Sequence, residues 1–313
     1  MKDTVLHVVA AVISDGHGQV LIARRPADKQ HGNLWEFPGG KVEAGEASLA
    51  ALRRELSEEL GIEVQQAQPL LTVTHAYAGY TVRLEVWRVD SFTGIAHGRE
   101  GQPVEWVTAA DLSQRAFPAA NRAILTALQL PPLYLITPEA AQLATFLEHL
   151  EQCLRSGIRL LQLRTLTLPR HQLDELVAEA RVLAGRYQAR VLLNSRLPWR
   201  DFPPDVGVHL TQRDLMSWQQ RPVEHRRLLA ASCHDATSLH HAAAVGVDFV
   251  TLSPVAVTAS HPQAAVLGWQ GFSALLNDAA LPVYALGGMK ESDLQQVRQL
   301  GGFGVAGITA WWR

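Results

Sequence analysis

The sequence predicts an α/β chain of two domains: a mixed sheet sandwiched by helices over residues 1–130, and a (β/α)8 TIM barrel over residues 131–313. Three observations carry this. At 313 residues the chain exceeds what one core comfortably organises. In the first part, β-type apolar runs surround one strongly amphipathic helix, whereas after Pro131 and Pro132 short apolar runs alternate with helical segments. Between the two regions, Leu130, Pro131 and Pro132 form a stiff break, because neither proline can continue a helix.

Taken in order, Val5 to Ile13 and Val20 to Ala23 are strands joined by the hairpin signal Asp15, Gly16, His17 and Gly18. Glu36 to Gly40 leads into the main helix. Leu70 to His75, Thr81 to Val89 and Val104 to Val107 read as further strands, and Asn121 to Leu128 as a closing helix. This is a mixed sheet with flanking helices. The second region holds eight apolar runs: LYLIT at 133, RLLQLR at 159, RVLLNS at 190, VGVHL at 206, LLAAS at 228, FVTLS at 249, VYALGG at 283 and GVAGIT at 304. Helical patterns such as Gln142 to Arg155, His171 to Leu183, Ala236 to Val245 and Glu291 to Leu300 fall between them, the alternation of a parallel barrel. Its last helix is reduced to Ala310 to Arg313, which predicts that one end needs cover.

Composition narrows the function. A hydrophobic fraction of 47%, 19% charged residues and a formal charge of −2 make no electrostatic case for gripping a nucleic-acid polymer. Small-molecule partners are expected instead. Cys153 and Cys233 are too few and too far apart for a zinc motif or a disulfide framework, which fits a reducing, cytoplasmic setting. No apolar run approaches the ~20 residues of a membrane helix, and the N-terminal run is broken by Ser14 and Asp15 as a strand and turn would be.

The densest chemistry lies in Gly40 to Ile62. At about 100° per residue, Glu55, Glu58 and Glu59 share one sector of a helix while Leu49, Leu52, Leu56 and Leu60 share another. Carboxylates so close repel one another, unless a hard divalent cation takes them as oxygen ligands. The competing reading is a solvated acidic face. Arg54 and Glu46 form a supporting pair, and Gly61 ends the helix at a residue free to take positive φ.

Gly40, Glu46, Arg54, Glu55, Leu56, Glu58, Glu59, Gly61 and Ile62 match every defined position of the Nudix box, so this region resembles a Nudix hydrolase. The resemblance implies hydrolysis of a nucleoside diphosphate linked to another group, with Mg²⁺ (or Mn²⁺) polarising phosphoryl oxygens and acidifying a water. The flanks ARRPADKQHGNLWEFPGGK, REGQPVEW and FPAAN sharpen it toward the MutT type, which removes oxidised guanine nucleotides such as 8-oxo-dGTP. Carried over, Gly40, Glu55, Glu58, Glu59 and Glu100 would serve the metal, Arg54 would support catalysis, Arg25 would contact phosphate, Phe37 would line the base pocket and Asn121 would read the purine edge. An amide suits that task because it offers a donor and an acceptor together. The competing readings are a helix N-cap for Asn121, simple core for Phe37, a surface-loop acid for Glu100 and a strand-end cation for Arg25. His31, His75 and His97 lack chelating spacing and are assigned no metal.

The barrel region is similar to thiamine phosphate synthase and its relatives. LYLIT, Gln162 to Arg164, Asn194, GVHL with Gln212 and Asp214, Ser232 with His234, LSPV, ALGG and GIT fall in family order. The resemblance implies phosphate-ligand candidates at Gln162, Arg164, Asn194, Asp214, Ser232, Thr258, Ser260, Gly288 and Ile308. Late-strand glycines can bring backbone amides close to a phosphate. Three positions depart from the synthase pattern: Leu166 and His261 replace lysines, and Ser195 replaces an aspartate, leaving Asp214 alone of two expected magnesium carboxylates. Fewer charges stabilise a departing pyrophosphate, so the expectation is a barrel that binds a thiamine-pathway phosphate without synthesising thiamine phosphate. His234 is a candidate acid or base for a related thiazole isomerase. Two alternatives stay open for the whole chain: a Nudix site acting on thiamine-type pyrophosphates, or a barrel that senses a phosphate ligand and regulates the hydrolase. Trp311 and Trp312 are expected to pack at the barrel base or a domain seam.

Overall fold

The computed structural model describes residues 4–28, 31–258 and 265–312. Two compact units emerge, Met1–Gln129 and Leu130–Arg313.

The first unit has two small sheets. In one, β1 (Thr4–Ile13) runs parallel to β5 (Tyr80–Thr93), which pairs antiparallel with β4 (Glu63–Tyr77). In the other, β2 (Gln19–Arg24) lies between β3 (Trp35–Glu36) and β6 (Val104–Thr108), antiparallel to both. Strand β4 begins seven residues before the Leu70 start read from sequence. Its first half is polar and carries Pro69, and the register shifts at Gln66 and Pro69 absorb the missing proline N–H.

Helix α1 (Ser48–Leu60) forms where the box predicts one. It buries Ala51, Leu52, Leu56 and Leu60 against β1 and β4, in a core with Val9, Ala11, Ile13 and Ile62. Each fully buried leucine contributes roughly 1.5–3 kcal/mol. Gly61, at φ 67°, closes the helix by donating its N–H to the Ser57 carbonyl at 3.1 Å. Short α2 (Ala109–Leu112) follows β6, and a 3-10 turn at Ala119–Asn121 leads into α3 (Arg122–Ala127).

In the second unit β7 (Leu133–Ile136), β8 (Leu160–Leu163), β9 (Arg190–Asn194), β10 (Gly207–Leu210), β11 (Leu229–Cys233), β12 (Phe249–Leu252), β13 (Val283–Leu286) and β14 (Gly304–Gly307) close into one parallel barrel. Closure pairs Val305 with Leu133. All eight sequence runs become these strands. Around them lie α4 (Leu143–Arg155), α5 (Arg170–Arg186), α6 (Gln212–Ser217), α7 (Ala236–Val245), α8 (Gly268–Leu276) and α9 (Leu294–Gln299). Where a single helix was expected over Glu291 to Leu300, a 3-10 turn at Glu291–Asp293 precedes α9. The expected terminal helix at Ala310 does not form among the described residues. Thr309 to Trp311 are a turn, and the chain is secured by Trp312 packing on Phe146 of α4 with ring centroids 4.6 Å apart.

Alternation along each strand builds the barrel's two cores. Leu135, Leu161, Leu193, Val208 and Val250 face the helices. Their neighbours turn inward, where Tyr134, Phe249 and Tyr284 form an aromatic plug with centroids 5.0–5.7 Å apart. Gly304 makes room for it, because a Cβ there would lie 2.6 Å from the Tyr284 ring. The polar members of the inward set, Gln162, Asn194, His209 and Ser232, sit further along their strands at a cavity. That placement at the carboxyl ends of the strands is where a parallel barrel keeps its chemistry.

Candidate functional site

In the first unit a cavity of about 400 Å³ collects residues distant in sequence. One wall is acidic. Glu59 is half-buried, with its Oε2 accepting from the Gly39 N–H at 3.2 Å. Burial pushes its carboxyl up to about 8, against the Gly39 bond, and the charges of Glu36, Glu55 and Glu100 add to the rise. Glu55 lies directly over Gly40, where a Cβ would fall 2.2 Å from the Glu55 carboxyl carbon and push the carboxylate aside. Arg54 donates from Nη1 to Glu55 Oε1 at 2.8 Å, from Nη2 to Glu46 Oε2 at 2.9 Å and to the Lys41 carbonyl at 3.0 Å. It thereby ties the glycine turn to the helix.

Glu100 reaches this wall through the C-terminus of α1. The last helical carbonyls need donors, and the loop supplies them: the Arg99 N–H and Gln102 Nε2 both donate to Glu59 O, while the Arg99 guanidinium donates to Ser57 O. Glu100 is exposed yet lines the cavity. Glu58 is not among the lining residues. Its side chain is 60% exposed and meets Arg54 at 3.4 Å, so the three-glutamate sector divides into Glu55 and Glu59 facing inward and Glu58 facing out. Among the described residues no three acidic, histidine or cysteine side chains converge as a closed metal cluster.

Opposite lie the residues expected to take the base and phosphate. Phe37 is buried and stacks on Phe117 at 5.7 Å, and its N–H donates to Asn121 Oδ1 at 3.4 Å. Asn121 occupies the cap position of α3 but its side chain caps nothing. Arg25 pairs with Glu36, whose carboxyl is nonetheless raised by burial. Glu36 was missed by sequence reasoning, as was an aromatic wall of His31, Tyr77 and Tyr80, with Tyr77 and Tyr80 stacked at 5.0 Å. The alternation of Tyr77 and Tyr80 about the β4–β5 turn was the available signal.

The barrel cavity, about 670 Å³, is of opposite character. Arg164 and Arg196 line it with no aspartate or glutamate among its described lining residues. Gln162, Asn194, Ser232, Thr258, Gly288 and Ile308 all line it as expected positions, and Leu166 does too. Asp214 does not: its Oδ2 accepts the hydroxyls of Ser195 and of Thr211, the latter at 2.9 Å, at the start of α6. Ser260 and His261 lie outside the described residues. Arg196 and His209 were not singled out from sequence.

His209 is fully buried, which drives its imidazole down to about 3. The Tyr134 phenol, enclosed by Phe249 and Tyr284, has His209 Nδ1 at 2.9 Å as its acceptor. Nε2 therefore carries the proton and donates to Ser232 Oγ at 2.8 Å, leaving the serine proton for the cavity. His234 donates from Nδ1 to the Ser253 carbonyl at 2.6 Å, which orients its ring at the cavity edge.

A carboxylate-lined pocket on a mixed sheet and a parallel barrel with two arginines at its cavity thus define a chain of two modules. The NUDIX domain profile matches residues 9–127 and the thiamine monophosphate synthase profile residues 133–311, and the chain belongs to both families. Over 124 residues it is 35% identical to an 8-oxo-dGTP diphosphatase of Escherichia coli, covering 40% of this chain and 96% of that protein. It is 37% identical to a CTP pyrophosphohydrolase of the same organism, over 39% of this chain and 90% of the relative. The second module is 34% identical to a putative thiamine-phosphate synthase 2 of Aquifex aeolicus, covering 58% of this chain and 98% of the relative. Among solved structures, one from work on MutT of Aliivibrio salmonicida and Vibrio cholerae shares 39% identity over 40% of this chain and 97% of its own, with a TM-score of 0.36. No helix among the described residues is long and apolar enough to cross a membrane.

Proposed function

We propose that the first unit is a Mg²⁺-dependent nucleoside triphosphate pyrophosphohydrolase acting on oxidised guanine nucleotides, taking 8-oxo-dGTP to 8-oxo-dGMP and pyrophosphate. The supporting observation is one cavity that joins Glu55, Glu59 and Glu100 to Phe37 and Asn121. The donor set fits a hard divalent cation: clustered carboxylates beside a glycine turn, with the charges of Glu36, Glu55 and Glu100 adding to the rise that burial causes at Glu59. Glu55, Glu59, Glu100 and the Gly40 carbonyl would hold it, and Glu58 would join from the rim. Bound there, the cation would polarise phosphoryl oxygens and acidify a water.

The chain's own groups do the positioning. Arg54 holds Glu55 over Gly40, and the Arg99 to Gln102 loop keeps Glu100 beside Glu59. Phe37 and the tyrosine wall present flat surfaces to a base, and the Asn121 amide offers it an edge. Arg25, paired with Glu36 at the cavity, is the cation placed to meet a phosphate. In the second unit the barrel binds a phosphate ligand and has lost synthesis, because Asp214 is engaged by hydroxyls and Leu166 stands where a cation is needed.

Turnover of 8-oxo-dGTP, dGTP, CTP and thiamine pyrophosphate by the full chain with Mg²⁺ tests the reading. 8-oxo-dGTP should lead in kcat/KM, and Asn121→Ala should cut its advantage over dGTP by about 1–3 kcal/mol. A lead for thiamine pyrophosphate would shift the assignment to the fused module's chemistry, and robust thiamine phosphate formation would overturn the degenerate barrel.

A further inference from the structure

Asn121 sits in a helix start that its immediate neighbours do not cap. The first N–H groups of a helical turn have no partner within it. In the 3-10 turn Ala119–Asn121 the preceding residue is Pro118, which has no side-chain acceptor, and no side-chain cap forms there. Ala120 is nonetheless buried, and a buried backbone donor left unpaired is costly. Its partner comes from β4: the Tyr77 hydroxyl accepts from the Ala120 N–H at 3.2 Å, across 43 positions of sequence.

The phenol is itself held in direction. Tyr77 and Tyr80 pair at the end of the β4–β5 hairpin, so their side chains leave the same side of the sheet. Their rings stack with centroids 5.0 Å apart and 16° between the planes. His75 meets the Tyr77 ring edge-on at 4.6 Å and His31 meets it at 5.1 Å, while His31 Nε2 lies 3.3 Å from the Tyr80 hydroxyl. Rings from two separate segments thus fix where the Tyr77 hydroxyl points.

Tyr77, Ala120 and Asn121 line one cavity. Asn121 is gripped twice, at its Oδ1 by the Phe37 N–H and at its backbone turn by Tyr77 through Ala120. The Phe37 bond, at 3.4 Å, is near the limit of a hydrogen bond, so a small shift of the turn breaks it. The grip at Ala120 therefore decides where the amide stands.

We propose that Tyr77 is a positioning residue for base selection: its hydroxyl fixes the turn that carries Asn121, and with it the direction in which the Asn121 amide meets the base. This rests on the reading of Asn121 as the group that reads the base edge, and adds to it the residue that sets its geometry.

Tyr77→Phe keeps the ring and its stacking and removes only the hydroxyl. In the full-length protein with Mg²⁺, the kcat/KM ratio of 8-oxo-dGTP to dGTP should fall by about threefold to tenfold, the scale of one lost hydrogen bond. In the Asn121→Ala background the same change should move that ratio by less than about twofold, because a group acting through Asn121 has nothing left to position. Amide hydrogen exchange over the turn at Ala119–Asn121 should quicken by about threefold or more in Tyr77→Phe without any nucleotide present. Thermal melting checks that each variant folds. Unchanged exchange, or a ratio that Asn121→Ala lowers and Tyr77→Phe does not, overturns the positioning role and leaves the proposed activity standing. Equal falls in both backgrounds would mean that Tyr77 meets the base directly, which overturns it too. No effect of Asn121→Ala on the ratio overturns the reading of Asn121 and the inference with it, a result distinct from the other two.

Discussion

The two cavities have opposite electrostatics. In the first unit Glu36, Glu55, Glu59 and Glu100 meet at one pocket, so a phosphate would be repelled unless a cation came with it. In the barrel two arginines line a cavity whose described residues include no acid. An acidic site can be switched on by its metal and can activate water. An acid-free site binds anions without that capacity. The difference supports the proposed division, hydrolysis in the first unit and recognition in the second.

The largest effect should come from the acidic side. Glu59→Gln should lower Mg²⁺-dependent turnover by about 100-fold or more, and chelation should abolish it. Glu58→Gln, on the exposed side of the helix, should cost distinctly less, about tenfold. Steady-state kinetics at saturating Mg²⁺ decide this; equal losses at 58 and 59 would restore the symmetric comb implied by spacing alone.

A middle-sized effect concerns the barrel interior and acid. His209 titrates near 3 when folded and near 6.5 when unfolded. Below the unfolded value the unfolded chain binds the extra proton, so stability is full above about pH 6.5 and is lost as pH falls toward 3, by at most about 1.4 kcal/mol per pH unit. Urea melts of the barrel transition at pH 7 and pH 5 should show a shallower loss in His209→Gln. Identical slopes would mean that the imidazole is solvated, which would also undo the fixed tautomer at Ser232.

The smallest effect is at Asp214. Asp214→Ala should cost about 1 kcal/mol of barrel stability through the lost hydroxyl contacts, while phosphate binding in EDTA stays unchanged by calorimetry. Weakened binding would place Asp214 back in the ligand site and blur the contrast between the cavities.

Pattern alone sufficed for much of the architecture. The eight apolar runs and the nine box positions rest on local periodicity and spacing, which a chain displays whatever surrounds it. The same logic placed Gly61 at the end of α1, since a left-handed terminus is a local demand. Helix length in the barrel was less legible: α9 opens with a 3-10 turn, and after Gly307 packing of Trp312 on α4 takes the place of a helix.

Spacing could put Glu55, Glu58 and Glu59 in one sector but not say what stood opposite. The Arg99 to Gln102 loop and Gly39 meet the Glu59 end, solvent meets Glu58, and that division exists only once distant segments pack. The same holds for Asp214 in α6, whose fate depends on Ser195, nineteen positions earlier and just past the end of β9. Glu36, the tyrosine wall, Arg196 and His209 likewise acquire their surroundings from tertiary contacts. Residue types and intervals encode which elements form, because backbone preference and burial are largely local. Which charges are left facing a cavity is a sum over neighbours from the whole unit, and only the folded chain performs that sum.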